Sequence, residues 1–227
     1  MIASTNLQSI GFIFDLDGTL VDSAYQHALA WQRALQCEGM SLPLWRIHRQ
    51  VGMSGGLFTE LLLRQLKREV TADQLERLQQ SHAQAYEQLN GTVRLLPGAR
   101  ELLKHLIDSK IPWAIATSGR LATARHDLAM LAVPERAVIT RDDVTRAKPD
   151  PDVLLVAAAR LDLSVNSAIV VGDSIWDMLA ARRAGMLGVG MLSGGYGQDE
   201  LERAGAARVY EDPGDLLQRL YELGLRF

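Results

Sequence analysis

Residues 10–19 read IGFIFDLDGT, an apolar run of five residues that passes directly into Asp15 and Asp17, one residue apart, and then Gly18 and Thr19. A short apolar run ending in a polar turn predicts a buried strand whose carboxyl end carries the two aspartates. Gly18 lets the chain turn sharply behind them. Paired carboxylates suit two tasks. They hold a hard divalent cation through oxygen, or they divide catalysis between a nucleophile and a general acid/base. An Asp that merely caps the next helix is the plainer alternative, and for an isolated Asp-x-Asp it is the usual one. The strand before and the Gly-Thr after shift the reading towards chemistry.

Outward from this stretch, the texture is first helical. Ala24, Leu29, Ala30, Ala34 and Leu35 recur at helix spacing up to a stop at Gly39. Leu57, Leu61, Leu62 and Leu66 form a second series, and Leu75, Leu78, His82, Ala85 and Leu89 a third that opens near 71–73. From residue 91 strands and helices alternate. Strands are predicted at 113–116, 137–140, 168–171 and 187–191, and helices at 97–109, 120–131, 151–161, 175–184 and 215–223. Such alternation implies a parallel sheet covered on both faces, with ligands outside the carboxyl ends of its strands. The expected fold is therefore α/β: a Rossmann-like parallel-sheet core at 1–20 and 91–227, with an all-helical cap at 21–90 inserted after the first strand.

Composition narrows the function classes. Of 227 residues, 48% are hydrophobic and 22% charged, so a sizeable core is possible and disorder is not expected. The net charge of -3 leaves no electrostatic footprint for nucleic acid. No apolar run approaches the roughly 20 residues that span a bilayer. Cys37 is the only cysteine, which rules out a disulfide within the chain. Residues 1–9 have neither the positive start nor the apolar core of a signal peptide, so a cytoplasmic location is the expectation.

Three more polar clusters follow predicted strands. Thr117-Ser118-Gly119 brings hydroxyls and free N–H groups to a helix start, an arrangement that suits an anion and serves equally as an ordinary N-cap. In Lys148-Pro149-Asp150-Pro151, Pro151 fits the first helical position and Asp150 its N-cap, whereas Lys148 is either a solvated surface lysine, the plainer reading of the motif alone, or a source of positive charge for a phosphoryl group. In Gly172-Asp173-Ser174-Ile175-Trp176-Asp177, Asp173 suits a metal ligand, and Ser174 with Asp177 has the spacing of a capping box. Asp177 is thus either a support for the site or a purely structural cap.

Taken together, DLDGT (15–19), TS (117–118), KPDP (148–151) and GDSIWD (172–177) resemble the four motifs of the haloacid dehalogenase superfamily, in order and in placement at strand ends. The insert after the first motif resembles the small helical cap of phosphoglycolate phosphatase-like and β-phosphoglucomutase-like members. The resemblance implies a phosphoric monoester hydrolase in which Asp15 is a transiently phosphorylated nucleophile and Asp17 the general acid and then base. It implies Mg²⁺ on Asp15, Asp17 (through its backbone carbonyl) and Asp173, with Thr117, Ser118 and Lys148 holding phosphoryl oxygens. The partner implied is a small phosphate ester such as phosphoglycolate or a sugar phosphate, for a monomer or homodimer that binds neither nucleic acid nor membrane.

Several branches are set against this. Dehalogenases proper generally lack the second Asp, and Asp17 is present. Phosphonatases use a cap lysine, and the only cap lysine, Lys67, sits in a charged stretch. β-Phosphoglucomutases carry Lys-Gly-x-Ser-Arg in the cap loop, whereas this chain has Val51-Gly52-Met53-Ser54-Gly55. A mutase-like phosphotransferase is the alternative to a hydrolase, and a non-catalytic binding module the more distant one. His27, four residues before Trp31 on one helix face, and His48 with Arg49 are candidate substrate contacts from the cap.

Overall fold

The computed structural model describes residues 10–67 and 71–224. The signal-peptide reading of residues 1–9 lies outside them. Among the described residues, a six-stranded sheet forms the centre, in the order β5-β4-β1-β6-β7-β8 with every neighbouring pair parallel. Its strands are β1 (Gly11–Phe14), β4 (Trp113–Ala116), β5 (Val138–Ile139), β6 (Ala168–Gly172), β7 (Leu187–Met191) and β8 (Ala206–Tyr210). From β1 the chain steps outward through β4 to β5, then returns to the other side of β1 for β6. That reversal is the topological switch point at which open α/β sheets place ligands.

Strand alternation builds two cores from one apolar run. Phe12 and Phe14 point to a face shared with Ile115, Ile169, Val171 and Val189, covered by α5 (Ala99–Asp108), α6 (Leu121–Leu131) and α10 (Pro213–Gln218). Ile13 points to the other face, with Ala114, Ile139 and Val170 under α7 (Asp152–Arg160) and α8 (Ile175–Ala184). All three of these β1 side chains are completely buried. Burial of such side chains stabilises by about 1.5–3 kcal/mol each, so β1 anchors the sheet and fixes where Asp15 emerges.

The helical insert comprises α1 (Ala24–Cys37), α2 (Leu44–His48), α3 (Gly55–Leu66) and α4 (Ala72–Glu87). It has its own apolar centre, with Trp31, Leu35, Ile47, Phe58, Leu62 and Leu78 packed together. Where the chain leaves and re-enters the core, β2 (Val21–Asp22) and β3 (Arg94–Leu95) pair antiparallel. This two-residue ribbon ties both connecting segments to each other. No helix among the described residues is long and apolar enough to cross a membrane.

Some expectations need correction. Pro151 is the N-cap of α7, not its first helical residue, and Asp150 instead faces Arg183 at 3.7 Å. The final helix begins earlier than residue 215: Asp212 accepts from the Asp215 N–H at 3.0 Å to start α10, which stops at Gln218 before a separate 3₁₀ turn, Leu220–Leu223. The strand expected at 137–140 contributes only Val138–Ile139 to the ladder. α2, the β2/β3 ribbon, α9 (Gln198–Ala204) and β8 are additional to the expected elements.

Candidate active site

The ends of β1, β4 and β6 deliver Asp15, Thr117 and Asp173 to one edge of the sheet, and the segment before α7 delivers Lys148. The expected core residues are thus brought together across long stretches of sequence. Lys148 is buried, and its Nζ donates to Asp15 Oδ1 at 2.5 Å and lies 2.8 Å from Asp177 Oδ1. Asp15, Asp173 and Asp177 each bring a carboxylate oxygen within 4.8 Å of the others. Thr19 donates to Asp173 Oδ1 at 3.0 Å, and Ser193 donates to the Gly18 carbonyl at 2.6 Å.

Charge in this cluster is unbalanced. Three buried acids meet one buried ammonium; with all three ionised, two negative charges stay unmatched, which a divalent cation would balance. Burial, outweighing the attraction of Lys148 and joined by the neighbouring carboxylates, pushes Asp15 up from 3.8 to about 7. Burial and then the charges of Asp177 and Asp15 push Asp173 well above its ordinary value. Groups in this state gain from a hard cation with oxygen preference. The residues therefore fit a divalent metal held by the carboxylates of Asp15 and Asp173.

Asp177 makes contacts on two sides, one to the start of α8 and one to Lys148. Its Oδ2 accepts from the Ser174 N–H at 3.0 Å and the Ser174 hydroxyl at 2.5 Å, closing the box that starts α8. Its Oδ1 faces Lys148. Asp177 thus joins the start of α8 to Lys148.

The Asp17 side chain turns away from the acidic cluster. Its Oδ1 accepts from the Ser23 hydroxyl at 2.7 Å and lies 3.1 Å from His27 Nε2. Burial alone would raise this carboxyl; the His27 ring and the Ser23 hydroxyl outweigh it and hold Asp17 below its usual range. Ser23 occupies the N-cap of α1, yet its side chain makes no capping hydrogen bond there. The helix gives up its cap to bind Asp17. His27 in turn stacks on Tyr86, with ring centres 3.9 Å apart, and Tyr86 donates to the buried Asp127 at 2.5 Å. Burial, followed by the Asp17 charge, raises Asp127 to about 6.

A cavity of about 190 Å³ lies between sheet edge and cap. Asp15, Asp17, Thr117, Ser118 and Arg120 line it from the core, and His27, Trp31, Met53, Phe58 and His82 from the cap. Thr117 Oγ1 accepts from the Gly119 N–H at 3.0 Å, whereas the buried Ser118 Oγ has no partner among the described residues. A buried hydroxyl without a partner costs free energy that an anionic oxygen would recover.

Of the cap candidates, His27 lines this cavity; His48 and Arg49 do not. His48 hydrogen-bonds the Gly194 carbonyl at 2.8 Å, and Arg49 stacks on Tyr196 while pairing with Glu200. The Trp176 N–H and the Tyr196 hydroxyl both donate to the Arg49 carbonyl, at 3.2 and 2.7 Å. These two residues dock the cap on the core because α2 ends facing the loop between β7 and α9. Sequence reasoning assigned no role to Ser23, Asp127 or Gly194, and placed His82 only in an apolar pattern. The available signal for Asp127 was an acid on the face marked by Ala124, Leu128 and Leu131.

Comparison with known proteins agrees with this geometry. Residues 11–185 match the family model described as haloacid dehalogenase-like hydrolase. Hexitol phosphatase A of Escherichia coli (strain K12) is 36% identical over 77% of this chain and 79% of its own length. The β-phosphoglucomutase of Bacillus subtilis is 31% identical over 92% of this chain and 93% of its own length. The crystal structure of a hydrolase from Pseudomonas syringae superposes with a TM-score of 0.92 at 52% identity, covering 94% of this chain and 99% of that one. With three strand-end clusters and Lys148 converging on one sheet edge beneath a helical cap, the chain belongs to the haloacid dehalogenase-like hydrolases.

Proposed function

We propose that the protein is a Mg²⁺-dependent phosphomonoesterase that hydrolyses a small phosphate ester through an aspartyl-phosphate on Asp15. The observation that carries this reading is the surrounding of Asp15: a buried Lys148 bonded to it, and an unpartnered Ser118 hydroxyl beside it on the wall of one small cavity. A carboxylate oxygen of Asp15 attacks phosphorus as the ester P–O bond breaks, and the Asp17 carboxyl, held deprotonated in the free protein, must take up a proton with the substrate, which it then gives to the leaving oxygen. Water then attacks the aspartyl-phosphate, Asp17 takes up a proton from it, and phosphate leaves with the Asp15 carboxylate restored. Thr117, Ser118 and Lys148 hold phosphoryl oxygens throughout, the positioning and charge stabilisation on which phosphoryl transfer depends. Mg²⁺ held by Asp15, Asp173 and the Asp17 carbonyl would supply further neutralisation of the attacking and transferring oxygens.

The cavity admits a leaving group of sugar size, with Trp31 and Phe58 as apolar walls and Gln79 as a polar contact. Hexitol and hexose phosphates are therefore the first substrates to test, with phosphoglycolate beside them, in a cytoplasmic setting. A phosphotransferase of the mutase kind is the second reading, favoured by the Bacillus subtilis relative and by Arg120 and Arg141 on the cavity wall. The cap-loop residues at that wall, Val51, Gly52 and Met53, carry no charge, which favours hydrolysis. Phosphate release from this panel, with and without Mg²⁺ and with Asp15→Asn as blank, tests the proposal. Magnesium-dependent release by the unaltered protein alone supports it. Product isomerisation that needs a sugar bisphosphate, without net phosphate release, would replace it with the mutase.

A further inference from the structure

Behind Asp17 lies a line of hydrogen-bonding atoms that hydrolysis by two aspartates does not itself require. From Asp17 Oδ1 it runs 3.1 Å to His27 Nε2, across the ring, and 3.1 Å from His27 Nδ1 to His82 Nε2. His27 comes from α1 and His82 from α4, so both rings travel with the cap, while Asp17 belongs to the core. Trp31 stacks on His82 with ring centres 4.2 Å apart and planes within 18°, and Tyr86 covers His27 with planes within 6°. Each ring is thus stacked against an aromatic neighbour.

Two bonds on opposite nitrogens leave His27 a single orientation. Turned over about its Cβ–Cγ bond, the ring would present Cε1 to Asp17 and Cδ2 to His82, and both hydrogen bonds would be lost. The Asp17 contact alone would leave the flipped ring accessible whenever that bond breaks. His82 keeps His27 Nε2 aimed at Asp17. Both bonds to the Asp17 side chain, from His27 and from Ser23, fall on Oδ1. This orients the carboxyl so that its other oxygen is the one left to meet the leaving group.

We propose that His82 is a positioning residue for proton transfer at Asp17, acting through His27, whose ring it holds in the one orientation that engages the carboxyl. This rests on the assignment of Asp17 as the acid of the phosphatase. It predicts that His82 matters in proportion to the leaving group's need for a proton. The test is kcat/KM, in Mg²⁺, for ring-substituted phenyl phosphates of similar size, from nitro to methoxy, with His82→Phe, His82→Gln and Asp17→Asn beside the unaltered enzyme. His82→Phe keeps the stack on Trp31 and removes the nitrogen; His82→Gln restores an N–H within reach. The expected result is little loss for nitrophenyl phosphate and a roughly 10-fold loss for methoxyphenyl phosphate in His82→Phe, a part of the ~10²–10⁴ that general acid catalysis contributes. His82→Gln should recover most of it, at a melting temperature close to that of the unaltered protein. An equal loss across the series would assign His82 to packing or direct substrate contact and overturn the proposal, as would no loss at all. If Asp17→Asn itself shows no steeper dependence on the leaving group, the assignment of Asp17 as the acid fails instead.

Discussion

Lys148 shows how far single residues could be read. Its own motif marked it as a cation near phosphate, yet the contact that places it comes from Asp177, in another motif and on another helix. Removing Asp177 leaves a buried ammonium with one fewer partner and α8 without its box. Asp177→Ala should therefore cost about 3–5 kcal/mol, the usual cost of breaking a buried pair, measured by urea unfolding. A cost below about 1 kcal/mol would reduce Asp177 to an ordinary surface-type cap. Asp15→Asn is the opposite case, because it removes a charge from an overcharged cluster. It should lower turnover at least ~10³-fold while leaving the metal-free fold as stable as before or more so, as read by phosphate release and thermal melting together. Asp15, Asp17 and Asp173 were legible because each follows an apolar strand. Ser23, His82 and Asp127 were not, because their partners lie on other elements and a polar residue in a helix carries no sign of what it faces.

Element by element, long and fully buried segments declared themselves and short or half-exposed ones did not. β6 reads AIVVG with every residue buried, and its apolar run is unmistakable. β8 reads AARVY, an edge strand whose first four residues are at least partly exposed, so no clean alternation marks it. α9 is seven residues long and mostly charged, burying only Leu201 and Ala204. The loop leading to α9 was nevertheless the more consequential omission, since it touches the site. A Cβ on Gly194 would fall 1.7 Å from Asp173 Oδ2, so the loop reaches the acidic cluster only because this residue lacks a side chain. Gly194→Ala should displace the Asp173 carboxylate or the loop itself. The expected outcome is a roughly 10-fold higher Mg²⁺ concentration for half-maximal activity, by analogy with the loss of a supporting contact around a metal, with little change in melting temperature in the absence of metal. An unaltered Mg²⁺ requirement would show that the loop can back away without disturbing Asp173.

Over the whole molecule, core and cap meet at several places, including the Tyr86–Asp127 and Ser54–Lys148 hydrogen bonds; two such places are the Asp17–His27 bond at the cavity and the docking of His48 and Arg49 on the loop between β7 and α9. The acidic cluster lies between them, and its charge links stability to pH. A carboxyl with a pKa raised in the folded protein binds its proton more tightly there than in the unfolded chain. For Asp15, at about 7 against an ordinary 3.8, that contribution is complete below about pH 4 and is lost as pH rises through about 7. Asp173 is shifted in the same direction and adds to it. In the absence of metal this cluster should therefore pull the melting temperature down as pH rises from about 4 through about 7. On the proposed assignment, Mg²⁺ would compete with protons for the same oxygens, binding weakly at the acid end and well at the alkaline end. At about pH 8 and a hundredfold excess over Kd, it should stabilise by about 2.7 kcal/mol, a rise of roughly 5–10 °C for a chain of this size. The rise should shrink to a degree or two near pH 5, in thermal scans at fixed ionic strength with and without Mg²⁺. Asp15→Asn should flatten the pH dependence of the metal-free protein and weaken the Mg²⁺ effect at every pH. An equal Mg²⁺-induced rise at both ends of the range would mean that the ion sits elsewhere, and would remove Asp15 and Asp173 from its coordination.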